Sequence, residues 1–136
     1  MDFATVYTFI SGSYWAQNMP ADVLRKALAH SLCFAALTEA NDTIGFARVI
    51  TDRATFGYLA DVFVLPAHQG QGVSRLILDS VVAHPDLQGL RRFMLATKDA
   101  HGLYRKYGFV PLQDSAPIMQ IWQPDIYLRN KNLHEQ

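Results

Sequence analysis

Two segments near the amino terminus carry apolar residues at the three- and four-residue spacing of an amphipathic helix. The first is residues 3–11, and Gly12 directly after it can end a helix. The second begins after Pro20, a residue that suits the first turn of a helix. Its apolar face consists of Val23, Leu24, Ala27 and Leu28. The pattern therefore predicts two helices ahead of the first strand.

Three strand-like segments follow these helices. They are residues 32–38, 44–51 and 55–65, and each is rich in apolar side chains. Polar turns separate them at residues 41–42 (Asn-Asp) and 52–53 (Asp-Arg). Because short turns join neighbouring antiparallel strands, the three segments predict an antiparallel meander.

The helical period returns at Gly72 and continues until Pro85 disfavours it. The positions that recur at helical spacing are Val73, Leu76, Ile77, Ser80 and Val81. Residues 92–97 then form a short apolar run without polar alternation, which is typical of a central strand covered on both faces. Since one helix links this run to the strand at 55–65, a right-handed crossover would make the two strands parallel.

The carboxy-terminal part of the chain predicts one more helix and one more strand. Residues 100–107 form the helix, which Gly108 closes, and residues 118–122 form the last strand. The polar tail after Arg129 is expected to be disordered. The whole chain, residues 1–136, is therefore predicted to be a single α/β domain with a mixed sheet and helices on both faces.

The composition limits the kinds of partner. The 136 residues are half apolar, and 12 Lys and Arg residues balance 12 Asp and Glu residues. No global charge would attract nucleic acid or an anionic membrane, so neither is expected as a partner. The sequence contains no apolar stretch of transmembrane length, and its amino terminus does not resemble a signal peptide, so a cytoplasmic location is expected. The single cysteine, Cys33, is expected to be buried, and the five histidines lack metal-ligand spacing, so no metal is predicted.

The stretch LPAHQGQGVSRLILDSVV, residues 65–82, places small residues between a strand and a helix. They are Gly70, Gly72 and Ser74. The first amides of a helix lack internal partners, so this turn can hold an anion such as a phosphate. The alternative is that the glycines only build a tight turn. Neither a dinucleotide fingerprint nor a Walker-type phosphate loop is present.

Two motifs resemble the GNAT superfamily of N-acetyltransferases. DVFVLPAHQGQGVSRLIL is similar to the central motif of the family, with Gln69, Gly72 and Ser74 at its three marked positions. Ser74 departs from the usual Gly or Ala. ATKDAHGLYRKYGFVPL is similar to the carboxy-terminal cofactor motif, in which the matching residues are Ala100, Tyr104, Gly108 and Phe109. Thr97 replaces an asparagine that is often found there, and the first strand of the family is not evident before residue 3.

The resemblance implies a GNAT fold with splayed central strands that binds acetyl-CoA. The pyrophosphate would lie against the amides of Gln69, Gly70, Gln71, Gly72, Val73 and Ser74. Pantetheine would run between the strands at 58–65 and 92–97, with contacts at Phe63, Val64, Thr97, Ala100 and Tyr104. The implied activity is transfer of an acetyl group to a primary amine of a small molecule or a protein, by direct attack in a ternary complex.

The chemistry needs a base, an oxyanion donor and a group that stabilises the leaving thiolate. Asp61 is an ionisable residue in an apolar strand, so it is either the base or a hydrogen-bonded structural carboxylate. An N–H near Phe63 or Val64 is the expected oxyanion donor. Tyr104 occupies the position of the family's general acid, and its alternative role is packing on its own helix.

The acceptor pocket is expected to include Tyr14 and Trp15 from the connection between the first two helices. Arg48 is a candidate to bind an acceptor carboxylate, with an ordinary surface arginine as the alternative. Two other classes of function stay open: a coenzyme-A-binding sensor or pseudoenzyme without acyl transfer, and a structural partner protein. A homodimer is a further expectation.

Overall fold

The computed structural model describes residues 1–129. Its sheet has four strands in the order β1-β2-β3-β4: β1 (Leu32–Leu37), β2 (Thr43–Thr51), β3 (Phe56–Val64) and β4 (Arg92–Leu95). The helices include α1 (Phe3–Ser11), α2 (Ala21–Ala29), α3 (Val73–Ala83) and α4 (His101–Arg105), and residues 126–129 are also helical. Short 3-10 turns at Pro66–His68 and Pro85–Leu87 flank α3.

The strand pairing confirms the mixed sheet. β1 and β2 are antiparallel, as are β2 and β3, so the meander is correct. β4 is parallel to β3, and α3 provides the crossover between them. The β3–β4 pairing extends only from Phe56 to Leu59, although β3 continues to Val64. β4 ends at the last of these pairs, so within residues 1–129 the second half of β3 has no strand partner on that side.

Helices cover both faces of the sheet, as predicted. On one face, the buried side chains of α3 pack against Ala47, Val49 and Leu59. On the other face, α1 and α2 enclose Phe46 and Phe63. Neighbouring residues of β2, such as Phe46 and Ala47, thus belong to opposite cores, because successive side chains of a strand alternate between its faces.

The prediction that residues 92–97 form a central strand is wrong in two respects. β4 ends at Leu95, and it lies at the edge of the sheet formed by residues 1–129. Arg92 is exposed and the other β4 residues are only half-buried. The apolar run without alternation correctly predicted a strand. It could not predict a central position, because that requires a second neighbouring strand, which the run itself does not reveal.

The predicted last strand at residues 118–122 is also wrong. This segment has no regular secondary structure, and the side chains of Met119 and Ile121 are 91% and 93% exposed. Its apolar composition favours a strand, but a strand forms only against another strand's backbone. Within the described residues the edge of β4 has no such partner.

Other boundaries differ by less. The helix predicted at 100–107 is limited to α4, and Gly108 follows it with a φ of 92°. Cys33 is half-buried, not buried. Residues 1–2, ahead of α1, have no regular secondary structure. The tail after Arg129 lies outside the described residues.

Gly45 allows α3 to lie close to β2. A Cβ atom at this position would be 2.8 Å from Ile77 Cδ1 and 3.3 Å from the Phe63 carbonyl oxygen. Both distances are shorter than ordinary van der Waals contact, so a side chain at position 45 requires the end of Ile77 to move and the backbone at Phe63 to shift.

Gly45→Ala should therefore lower the free energy of unfolding by about 1–3 kcal/mol, the usual range for overpacking. Gly102→Ala is the matched control, because nothing lies within 4 Å of its added Cβ. In a helix that change should raise the free energy by about 0.4–1 kcal/mol. Urea unfolding measures both, and a Gly45→Ala protein as stable as the parent would contradict this packing argument.

Candidate active site

The turn between β3 and α3 has an open, glycine-dependent conformation. Gly70 and Gly72 have φ angles of 79° and 81°, in the left-handed region that favours glycine. This backbone conformation is by itself a sufficient reason for glycine at both positions. It agrees with the alternative in which the glycines only build a tight turn. Nothing lies within 4 Å of a Cβ added at either position, so the outer side of the turn is open.

The amino terminus of α3 has no side-chain cap. Gly72 is the N-cap residue, and the first helical hydrogen bond is donated by the Leu76 amide to the Gly72 carbonyl oxygen, at 3.1 Å. The amides of Val73, Ser74 and Arg75 precede this bond and have no acceptor within the helix. These donors and the positive end of the helix dipole suit an anion.

Because β4 ends at Leu95, a gap lies beside the second half of β3, which has no strand partner on that side within residues 1–129. The Leu65 amide donates to the Ile44 carbonyl oxygen on β2, at 2.8 Å. Because successive strand amides point to alternate sides, the amide of Val64 points towards the gap. The Val64 carbonyl oxygen already accepts a hydrogen bond from Gln69 Nε2, at 3.1 Å. Phe63 and Val64 were the two predicted oxyanion donors. Of these, Val64 is the one whose N–H points towards the gap.

Asp61 is a buried carboxylate at a β-bulge, with 7% of its surface exposed. One oxygen accepts from Arg48 Nε and the other from Trp15 Nε1, both at 2.7 Å. Breaking a buried ion pair by removing one partner typically costs about 3–5 kcal/mol. These contacts fit the alternative in which Asp61 is a hydrogen-bonded structural carboxylate. The role of Asp61 as a base stays a prediction.

Arg48 is an internal residue, because its side chain is only 13% exposed. The surface-arginine alternative is therefore wrong. Besides its bond to Asp61, its Nη1 donates to Ser31 Oγ at 3.2 Å, and that hydroxyl donates to the Ala27 carbonyl oxygen at 2.7 Å. The guanidinium group links β2 to β3 and to the end of α2. Its binding of an acceptor carboxylate stays a prediction.

Tyr14 and Trp15 form an aromatic pair on the connection between α1 and α2. Their rings meet edge to face with centroids 5.2 Å apart, and they are 68% and 44% exposed. Lys98, which follows β4, places its Nζ 5.1 Å from the centroid of the Tyr14 ring. This contact connects the α1–α2 side with the segment after β4.

Tyr104 is buried on α4 and packs edge to face against Phe109, with ring centroids 6.0 Å apart. Burial raises the pKa of its phenol, and the Asp99 carboxylate raises it further. The hydroxyl consequently stays protonated at neutral pH. Nearby, Thr97 Oγ1 accepts from the Ala100 amide at 3.1 Å, so these two predicted cofactor residues also help to begin α4.

A groove of about 990 Å³ runs along the outer edge of β4. Thr97 and Tyr104 line it, but the residues of the 69–74 turn do not. The structure thus does not gather the predicted residues into one cavity. They divide between the open turn at α3, the gap beside β3 and this groove.

Two contributors were missed by the sequence reasoning, Ser31 and Lys98. Both are polar residues beside regular elements, and no motif or spacing distinguishes them. In residues 1–129 no group of three or more His, Cys, Asp or Glu side chains is arranged to hold a metal ion. Within the same range, no helix has the length and apolarity needed to cross a membrane.

Residues 29–111 match the family model described as the acetyltransferase (GNAT) domain. A crystal structure from Xanthomonas campestris pv. campestris, of a protein described as belonging to the GNAT family, is 48% identical with a TM-score of 0.90. The match covers 93% of this chain and 89% of that one.

Two curated relatives are more distant. One from Gibberella zeae, which carries the name of an acetyltransferase, is 41% identical over 68% of this chain and 63% of its own. An N-acetyltransferase from Porphyra purpurea, described as uncharacterized, is 30% identical over 81% of this chain and 65% of its own. The chain thus spans less than two thirds of the length of these curated relatives.

The Tyr104 phenol should titrate above its ordinary pKa of 10.0, because burial disfavours the phenolate. Subtracting the ultraviolet pH titration of Tyr104→Phe from that of the parent isolates this group. Below pH 10 its contribution to folding stability should be constant, and it should fall as the pH rises towards the higher folded-state pKa. A phenol that titrates below 10 would contradict the buried placement of Tyr104.

Proposed function

The chain belongs to the GNAT acetyltransferase family, and on this premise we propose that it transfers the acetyl group of acetyl-CoA to a primary amine by direct attack in a ternary complex. The main support is the uncapped amino terminus of α3, which follows β3 in the chain after residues 65–72, together with the gap beside β3 beyond the end of β4. Anion site and gap are adjacent along the chain, as one extended, anionic substrate requires.

Acetyl-CoA would bind with its pyrophosphate at residues 69–74. The free amides at the start of α3 supply hydrogen bonds and partial positive charge, and the open turn admits the phosphates. Its pantetheine arm would extend along β3, where the Val64 amide points into the gap. That amide is also the proposed donor to the carbonyl oxygen of the acetyl group.

Tyr104 is the proposed partner of the departing thiolate. Proton transfer from a phenol with an ordinary pKa of about 10 to a thiolate with a pKa of about 8.5 is unfavourable by roughly 2 kcal/mol. The raised pKa of the buried phenol increases this difference. Tyr104 therefore donates a hydrogen bond to the sulfur, and water supplies the proton.

The acceptor is a primary amine of a small molecule or a protein, and its proposed pocket is bounded by Tyr14 and Trp15. Exposed aromatic rings provide an apolar wall that also attracts a cationic or ammonium group. An acceptor panel that monitors free thiol release from acetyl-CoA tests the activity. The absence of release with small amines, peptides and protein amines would refute it.

A coenzyme-A-binding protein without acyl transfer is the second candidate. It is favoured by the engagement of both Asp61 oxygens, which leaves this carboxylate poorly placed to take a proton from an amine. A thermal shift with coenzyme A but no thiol release would support this candidate. The cytoplasmic location and the homodimer stay predictions from the sequence.

Ser74→Glu should weaken coenzyme A binding by about tenfold or more, because its carboxylate would face the phosphates, a difference of at least 1.4 kcal/mol. A negative charge in the first turn favours the helix itself, so the fold should persist. Ser80→Glu is the matched control, since Ser80 is exposed further along α3. The thermal shift with coenzyme A measures both. Undiminished binding by Ser74→Glu would exclude the proposed phosphate position.

Tyr104→Phe should lower kcat by about tenfold or more, because each tenfold loss corresponds to about 1.4 kcal/mol of transition-state stabilisation. Tyr107→Phe is its control: the Tyr107 hydroxyl donates to Asp79 Oδ1 at 2.9 Å on the exposed side of the same region. Steady-state thiol release measures the two variants. A loss smaller than about threefold in Tyr104→Phe would remove the proposed role.

A further inference from the structure

We infer that Asp61 is a positioning residue: it fixes Trp15, and through Trp15 the aromatic wall at the mouth of the β3–β4 gap, instead of taking the proton from the acceptor amine. The inference deepens the proposed acetyl transfer and rests on it for its effect on acceptor binding. The contacts of Asp61 themselves do not depend on any activity.

The β-bulge is what directs Asp61 to the α1–α2 side. Phe46 pairs with Phe63 and Arg48 pairs with Ala60, so one β2 residue between them opposes two residues of β3. Asp61 has a φ of 55°, in the left-handed region that Asp tolerates better than most residues. In a regular strand, residue 61 would share the α3 face with Leu59. At the bulge, its carboxylate instead reaches the opposite face.

Both oxygens of the carboxylate are engaged by directional donors. Arg48 supplies a charged N–H and Trp15 its indole N–H, each at 2.7 Å. An indole has a single N–H, so this hydrogen bond determines how the ring is oriented. Trp15 is 44% exposed, and burial alone therefore does not hold it in place.

The contacts continue from Trp15 across the gap. Its ring meets Tyr14 edge to face, and Tyr14 in turn lies under the ammonium group of Lys98, which follows β4. The series begins at Asp61 on β3 and ends beyond β4. It therefore extends across the gap in which the pantetheine arm of the proposed substrate would run, and the acceptor would approach past it.

Asp61→Asn tests this arrangement with almost no change in size. An asparagine has one acceptor oxygen where Asp61 uses two, so Arg48 and Trp15 compete for it, and the charged N–H of Arg48 is the stronger donor. Trp15→Phe is the second variant: it removes the indole N–H but leaves the Arg48–Asp61 ion pair intact. It therefore avoids the unpaired buried charge that can unfold a protein.

Tryptophan fluorescence tests the positioning without any substrate. The chain has two tryptophans, and Trp122 is 71% exposed and outside the proposed site, so Trp122→Phe leaves Trp15 as the reporter. Adding Asp61→Asn to this background should shift the emission to longer wavelength and increase quenching by acrylamide. Unchanged emission and quenching would overturn the inference, whether or not the protein is an acetyltransferase.

Kinetics test the consequence for the acceptor, with the primary amine that gives the fastest thiol release in the panel. Asp61→Asn and Trp15→Phe should each raise the KM for the amine about tenfold, because an aromatic wall that is no longer fixed must be ordered when the amine binds. The values of kcat and of the KM for acetyl-CoA should change less than about threefold. In the double variant the KM for the amine should be no higher than in either single variant.

A base would give a different pattern. Asp61→Asn would then lower kcat by about a hundredfold or more, while Trp15→Phe would not. That result would overturn the inference and leave acetyl transfer intact. If no amine in the panel supports thiol release, the proposed function fails, and the fluorescence result still decides whether Asp61 fixes Trp15.

Discussion

The hydrogen bonding between β3 and β4 ends at Leu59 and Leu95, although β3 continues to Val64. Most features of the candidate site depend on this unpaired half of β3. The backbone of β3 beyond Leu59 loses its neighbour on one side, so the Val64 amide points into a gap instead of a strand. The chain then passes through the connection at residues 65–72 into α3, whose amino terminus has no side-chain cap. A strand edge and an anion site are thus consecutive, and together they favour a long substrate with phosphates at one end.

The bulge in β3 directs Asp61 to the face of the sheet that α1 and α2 cover, and so places a buried polar network there. A left-handed conformation at a residue other than glycine costs roughly 1–2 kcal/mol, and burying an ion pair adds a desolvation penalty. The hydrogen bonds from Arg48 and Trp15 to Asp61 offset these terms, and Ser31 satisfies a further donor of the guanidinium group. The network joins α2, β2, β3 and the α1–α2 connection. It therefore places the aromatic residues of that connection relative to the gap.

The outer edge of β4 has a different character. Apolar side chains at residues 118–122 are exposed, and the adjacent groove follows an edge with no paired strand in residues 1–129. Unpaired edges and exposed apolar segments are the surfaces through which proteins associate. Tyr104 lines this groove as well as packing in the α3 core, so its environment depends on how that edge is covered.

The sequence by itself determined α1, α2, α3 and the meander, because a helical or strand period is local and each turn residue acts on its own neighbours. It also identified the open turn and the family, since both are carried by short consecutive motifs. The strand predicted at 118–122 and the central position of β4 were wrong, because strand pairing depends on residues distant in the sequence. The Asp61 network could not be predicted for the same reason. Trp15 is 46 positions from Asp61, and only the strand register and the bulge bring them together. Tertiary structure decided these contacts because hydrogen bonds between distant residues have no periodic signal along the chain.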